Sequence, residues 1–245
     1  MMSATILTKN SEKYLERILQ ALAPFDEILI LDTGSEDSTL KIAAKFPNCR
    51  TMRHPFIGFG ATHNLASSFA KHDWIFSIDS DEIPSKALLE EIFSLNLNPA
   101  SCYSFCRENW YRGKLIKGCG WYPDRVVRLY NKKTTSFSED LVHEAVKTKG
   151  LKVIPLKNPV THYPYRSIDD FLVKMHHYST LFARQYQHKR SSSLPRALLH
   201  SSFSFLKSYF LKRGFLYGSQ GFEISFYNAS TAYYKYLKLR DLNNS

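Results

Sequence analysis

A chain of 245 residues, 44% hydrophobic and 14% aromatic, can bury a sizeable core, which excludes a disordered polymer. The net charge of +11 is uneven: residues 1–165 carry 21 Lys+Arg against 18 Asp+Glu, residues 166–245 carry 12 against 4. So basic a second part calls for an acidic partner: nucleic acid, anionic lipid or a phosphorylated substrate. Cys49, Cys102, Cys106 and Cys119 form no Cys-x-x-Cys pair, excluding a zinc ribbon or a small disulfide scaffold. They read as reduced packing residues in a reducing compartment.

The N-terminus shows no charged segment followed by a long apolar one, and strand character starts at Ala4, so no leader is expected. No run of 18 apolar residues is present, so no membrane span is expected. Residues 4–8 read as a strand, and Ser11 as the N-cap of a helix carrying Tyr14, Leu15, Ile18, Leu19 and Leu22 on one stripe. Pro24 stops it. Residues 27–32 form a second apolar strand ending in Asp32, and a Gly34-containing turn leads to a helix over residues 40–46. This βαβα opening implies a parallel sheet with right-handed crossovers. Asp32 either accepts hydrogen bonds from a base or ribose or belongs to a well-capped loop. No Gly-x-Gly-x-x-Gly and no Walker lysine occur, which disfavours dinucleotide and P-loop sites.

Residues 50–55 give a short strand, and a helix from Gly58 to about Lys71 leads into the central one. There Trp74, Ile75, Phe76 and Ile78 form an apolar run suited to a strand covered on both faces. Asp79, Asp81 and Glu82 follow at once. Three acids so close repel one another, and a hard divalent cation is a natural partner. The plainer alternative is a solvated turn, with Glu82 starting a helix before Pro84.

Trp110, Tyr111, Trp121 and Tyr122 stand among Arg107, Arg112, Lys114 and Lys117, as a stacking and phosphate-holding surface or as core aromatics. His162 ends another strand, as a metal ligand or a hydrogen-bonded structural histidine. From Ile168 the texture becomes helical, with Phe171, Leu172, Met175, Tyr178, Leu181, Phe182 and Tyr186 on one helix. A basic Ser-rich linker over residues 189–195 and a Phe- and Leu-rich helix over residues 198–211 follow. Gly214, Gly218 and Gly221 break the chain before a last, Tyr-rich helix. This basic, aromatic segment suits a helix lying on an anionic membrane face, a helical cap on the catalytic domain, or both.

Taken in order, Thr8-x-Asn10, Asp32-Thr33-Gly34-Ser35-x-Asp37-x-Thr39, Asn64-Leu65-Ala66 and Asp79-Ser80-Asp81-Glu82 resemble a family 2 glycosyltransferase with a GT-A fold. Three later motifs resemble bacterial lipopolysaccharide core β-1,4-glucosyltransferase-like proteins. They are Tyr122-Pro123-Asp124-Arg125-x-x-Arg128-Leu129-Tyr130, Val142-His143-Glu144 and His162-Tyr163-x-Tyr165-Arg166-Ser167. The resemblance covers nearly the whole chain. It implies a Rossmann-like, mostly parallel mixed sheet over residues 1–165 and a helical extension over residues 166–245.

The resemblance further implies inverting transfer of a hexose from a nucleotide-sugar to a lipid-linked core acceptor. The enzyme would sit peripherally on the cytoplasmic face of the inner membrane. By position, Thr8, Asn10, Asp32, Asn64 and Asp79 contact the nucleotide, and Asp81, with His162, holds Mg²⁺ or Mn²⁺. Trp121, Asp124 and Arg125 meet the acceptor. Glu144 is the base, with Asp140 in reserve. One departure stands out: the family has an acid directly after the motif asparagine, where this chain has Ser11. Two other classes remain open, a metal-dependent nucleotidyltransferase and a non-enzymatic nucleic-acid or membrane-surface binder; no nucleic-acid motif is visible.

Overall fold

The computed structural model describes residues 1–139, 144–165 and 167–244. The reserve base Asp140, His143 and Arg166 lie outside the described residues. The chain divides into two compact units. The first comprises Met1–Arg107 with Asp124–His162, the second Glu108–Pro123 with the chain from Tyr163 onward. Residues 108–123, assigned to the first domain by sequence, thus group with the second unit.

The first unit opens with β1 (Met2–Thr8), α1 (Glu12–Ala21), β2 (Glu27–Asp32), α2 (Thr39–Ala43), β3 (Cys49–Arg53), α3 (Phe59–Phe69) and β4 (Trp74–Asp79). The strands lie in the order β3-β2-β1-β4, all parallel. After β5 (Glu82–Pro84) and α4 (Lys86–Phe93) come β6 (Ser101–Tyr111) and, past the short β7 (Lys114–Leu115), β8 (Asp124–Asn131), β9 (Lys152–Pro155) and β10 (Val160–His162). The sheet continues from β4 through β8, β6 and β10 to β5, with β8 antiparallel to β4.

Period-2 alternation sorts the strand residues between two cores. Ile28 and Ile30 of β2 with Phe76 and Ile78 of β4 face Leu15, Ile18 and Leu19 of α1 and Leu88 and Ile92 of α4. Leu29, Leu31, Ile75 and Tyr130 face Ala66 of α3 and Phe137. Glu82 begins strand β5 instead of a helix. The α4 N-cap is Ser85, whose hydroxyl accepts from the Leu88 amide at 3.1 Å. Ser11 flanks α1 without capping it through its side chain.

In the second unit, Tyr111, Ile116, Cys119, Phe171 and Ile224 form a small core with Trp121, Tyr165, Tyr217 and Tyr227 around it. The helices are α5 (Ile168–Tyr186), α6 (Leu194–Leu206) and α7 (Gly218–Asn244), with a π-helical turn over Lys207–Leu211. α6 starts four residues earlier than expected. Ser193 caps it and Pro195 sits in its first turn, where a missing N–H costs no hydrogen bond. Gly221, read as a helix breaker, lies inside α7; a Cβ there would stand 1.8 Å from the Gly214 carbonyl oxygen. Among the described residues no helix is long and apolar enough to cross a membrane.

Phe76 stacks on Phe25 at 5.5 Å and leans on Phe105 at 5.8 Å. Phe76→Ala is expected to destabilise the first unit by about 3–5 kcal/mol, read from the urea midpoint.

Candidate active site

The carboxyl ends of the three central parallel strands converge. In register, Thr8 pairs with Asp32 and Leu7 with Asp79, so the two acids end the strands on either side of β1. Ligands of open α/β sheets collect at such an edge.

Asp32 is fully buried. Its carboxylate accepts from Thr8 Oγ1 at 3.0 Å, from the Gly34 and Ser35 amides at 3.2 and 3.0 Å, and from the Ser35 hydroxyl. Burial would raise its pKa; the Ser35, Thr8 and Gly34 donors hold it below the usual carboxylate value. Asn10, at φ +51°, donates its amide to Ser35 Oγ and accepts the Glu36 amide on Oδ1, both at 2.9 Å. Ser11 takes part with both groups. Its amide donates to Thr39 Oγ1 at 2.7 Å and its hydroxyl to Ser80 Oγ at 2.9 Å. The Ser11 hydroxyl thus ties the first loop to the turn holding Asp81.

Alternation along β4 and β8 assembles the next layer. Ile75, Ser77 and Asp79 share one face of β4; Arg128 and Tyr130 share the matching face of β8. His63 of α3 points into this layer. Its Nδ1 lies 3.1 Å from Ser77 Oγ, its Nε2 3.4 Å from Arg128 Nη1, and its ring stacks on Phe137 at 4.4 Å. Arg128 Nη2 donates to Asp79 Oδ2 at 2.7 Å. Arg107 clamps Asp124 through two 2.9 Å bonds and reaches Glu82 at 3.3 Å and Asp79 at 4.0 Å. Two arginines on antiparallel strands therefore compensate Asp79 and Glu82, the role the sequence reading gave to a cation.

Burial alone would raise the Asp79 pKa, but Arg128, His63 and Arg107 bring it to about 2, so the group is a carboxylate. Glu82 is fully buried, and its pKa is pushed up by that burial and by the Asp79 charge.

Asp81 is placed differently. Its Oδ1 lies 3.6 Å from His162 Nε2, because β10 pairs with β5 through His162 and Glu82. A carboxylate oxygen and an imidazole nitrogen this close suit Mg²⁺ or Mn²⁺ as partial ligands, with other positions left for phosphate oxygens and water. The donor set fits a divalent ion; among the described residues no group of three or more His, Cys, Asp or Glu forms a complete cage.

Three of the residues expected to meet ligands have these partners within the chain. Asn64 is engaged with Phe137, donating to its carbonyl at 3.1 Å and accepting its amide at 2.8 Å. Arg125 Nη1 donates to the carbonyls of Ser104 and Leu156 at 2.9 and 3.2 Å, tying strands together. Trp121 lies in the second unit, stacked on Tyr165 at 5.6 Å. Glu144 follows the segment that Asn64 holds: Phe137 bridges Val146, and the Ser138 amide donates to Ala145 O at 2.8 Å. Gly60 underlies it. A Cβ there would stand 1.8 Å from Ser138 O and 3.5 Å from Glu144 Cβ.

A mixed sheet with charged loops at the carboxyl ends of its parallel strands is the architecture of GT-A glycosyltransferases. Residues 3–136 match the glycosyl transferase family 2 profile, and the chain belongs to that family. An uncharacterised glycosyltransferase of Rickettsia typhi is 30% identical over 98% of this chain and 87% of its own length. The lipopolysaccharide core biosynthesis glycosyltransferase LpsC of Rhizobium meliloti is 26% identical over 90% of this chain and 85% of its own. Among solved structures, Staphylococcus aureus TarS 1-349 in complex with UDP-GlcNAc aligns with a TM-score of 0.51 at 16% identity, over 99% of this chain and 89% of that one. The Pyrobaculum calidifontis mannosyltransferase PcManGT, in complex with GDP-Man and Mn²⁺, gives 0.51 at 12% identity, over 94% and 73%. Both share the fold. The chain is thus a glycosyltransferase, which sets aside the nucleotidyltransferase and the non-enzymatic binder.

Two predictions follow from the layer around His63 and from Gly60. Burial first, then Arg128, pushes the His63 pKa from 6.5 down to about 3, against the pull of Asp79. Between those values the unfolded chain holds the extra proton. His63 therefore contributes stability that is present above about pH 6.5 and lost as pH falls toward 3. Glu82 acts with the opposite sign, so the effect is isolated as the difference in unfolding free energy between wild type and His63→Gln. That difference is expected to grow with pH across the window; a flat difference would show that His63 is not buried as the neutral form. Gly60→Ala is expected to speed amide exchange at Phe137, Ser138 and Ala145 while leaving β4 amides protected. Unchanged exchange there would mean that the close approach does not hold the segment.

Proposed function

We propose that this enzyme is an inverting glycosyltransferase that moves a hexose from a nucleotide-sugar to a saccharide acceptor of the lipopolysaccharide core type. One observation carries the reading: Asp81 and His162 stand together at the sheet's carboxyl edge, beside an Asp79 already neutralised by Arg128. Asp81 and His162 are the pair that would hold Mg²⁺ or Mn²⁺. Bound there, the ion would offset charge building on the diphosphate leaving group. The named relative from lipopolysaccharide core biosynthesis and the neighbours with UDP-GlcNAc or GDP-Man support the donor and acceptor classes.

The chain's own residues divide the work. Thr8, Asn10 and Asp32 hold the two interlocked loops against which the nucleotide lies, and Asp79 faces its ribose. Glu144 takes the proton from the acceptor hydroxyl as that oxygen bonds to the anomeric carbon and the bond to the diphosphate breaks on the opposite side, inverting the centre. Asn64 and Arg125 act as positioning residues, the first for the Glu144 segment and the second for the strands carrying Asp124. The acceptor is lipid-linked, and the enzyme works peripherally at the cytoplasmic face of the inner membrane.

The test is a nucleotide-sugar panel scored for metal-dependent binding and transfer. Chelation is expected to abolish transfer and Mn²⁺ or Mg²⁺ to restore it. Asp81→Asn should remove transfer with an unchanged thermal midpoint. Glu144→Gln should keep donor binding while lowering kcat by about 100-fold or more; a normal rate in that variant rules it out as base.

A further inference from the structure

The second unit carries a surface and a cavity to which none of the transfer roles above has been assigned. From Phe171 to Phe222 the sequence holds eight Lys and Arg and no Asp or Glu. Within that stretch Leu199, Phe203 and Leu206 of α6, with Phe210 of the π-helical turn, recur at helical spacing and are exposed, Leu199 by 70% and Phe203 by 58%. The row continues sideways onto α7: Phe205 meets Phe222 at 5.7 Å, and Phe222 stacks on Phe226, itself 61% exposed. Contiguous apolar surface of this kind marks an interaction site.

A cavity of about 560 Å³ adjoins the row, sharing Phe203 with it. Lys207 and Lys212 of the π-turn region and Lys235 of α7 line it, with His200 and Thr231. The acids of α7 are engaged elsewhere, Glu223 with Arg112 and Asp241 with Arg240, both at 2.9 Å. The buried Thr231 hydroxyl has no hydrogen-bond partner among the described residues. Burial lowers the Lys235 pKa. Three lysines and an unmatched hydroxyl lining one cavity offer positive charge and a hydrogen bond to a phosphate-type anion. π-helical turns recur at functional sites.

We propose that this unit docks the enzyme on an anionic bilayer, the Leu199–Phe203–Leu206–Phe210 row entering the acyl boundary and the three-lysine cavity holding the phosphate of a lipid headgroup. The proposal rests on the membrane-surface reading above and gives it residues, but it needs none of the transfer chemistry. Charge and apolarity together choose the occupant. A second copy of the chain would bring the same lysines against this face. A nucleic acid would meet the cations and leave the apolar row in water. An anionic bilayer matches both.

The test is co-sedimentation of the full chain with vesicles of phosphatidylcholine alone or with one quarter phosphatidylglycerol. Retention on the anionic vesicles is expected to be at least about tenfold stronger. The triple variant Lys207→Gln, Lys212→Gln, Lys235→Gln should lose about tenfold of that retention, and Phe203→Ser with Phe210→Ser should lose retention on both. Inorganic phosphate should compete with the wild type and not with the triple variant. Circular dichroism and nucleotide-sugar binding should be unchanged in all. Equal retention on the two vesicles overturns the proposal, as does wild-type retention by either variant. Phosphate binding without vesicle retention overturns the lipid source, and a dimer dissolved by Phe203→Ser without vesicle retention assigns the face to self-association. Absent nucleotide-sugar binding by the wild type would remove the donor reading and leave the docking result standing.

Discussion

The ion pair between Arg128 and Asp79, at 2.7 Å, is the constraint on which the edge of the sheet depends. β4 delivers Asp79, Asp81 and Glu82 within four residues. Buried Glu82 and half-buried Asp79 would repel each other and unfold the turn if left alone. Arg128 comes from β8, which runs antiparallel to β4, and Arg107 from β6, which pairs antiparallel with β8 and so runs with β4. The mixed character of the sheet thus has an electrostatic consequence: β8, which starts at the edge, and β6, which runs up to it, each place a guanidinium group there. Removing one partner of such a network leaves the other as an uncompensated buried charge, which costs more than the pair contributes.

The same layer explains why α3 matters. His63, Ser67 and Gly60 lie on its inner side, against Ser77, Tyr130 and Ser138 respectively. The Ser67 and Tyr130 hydroxyls lie 2.7 Å apart, and Asn64 on the same helix brackets Phe137. One helix therefore fixes the β4 layer and the start of the Glu144 segment together. A shift of α3 would move both.

Much of the fold was legible in the chain. The short apolar runs of β1, β2 and β4, each followed by a polar turn, specify parallel strands, because only doubly covered strands read as nearly continuous hydrophobics. Asp32 and Asp79 could be placed on one rim because both end such runs. What sequence did not reveal was the counter-charge. Arg128 is 49 residues from Asp79, and its arrival follows from the register of β8 on β4, which no local pattern encodes. His63 was hidden for the same reason: helical spacing puts it on the inner face, but its partners sit on β4 and β8. The ties made by Asn64 and Arg125 were equally hidden, since their partners are backbone groups, which carry no sequence signal. The π-helical turn after α6 was read as plain helix because its composition is that of a helix.

Adjacent acids with different surroundings take different work. Asp79 has its charge met within the protein and holds the edge in shape. Asp81, two residues on, has turned out of the β4 ladder and faces an imidazole that is neutral in its metal-binding form. On the proposed function, that carboxylate and histidine, 3.6 Å apart, are the groups that would meet a divalent ion and its phosphates.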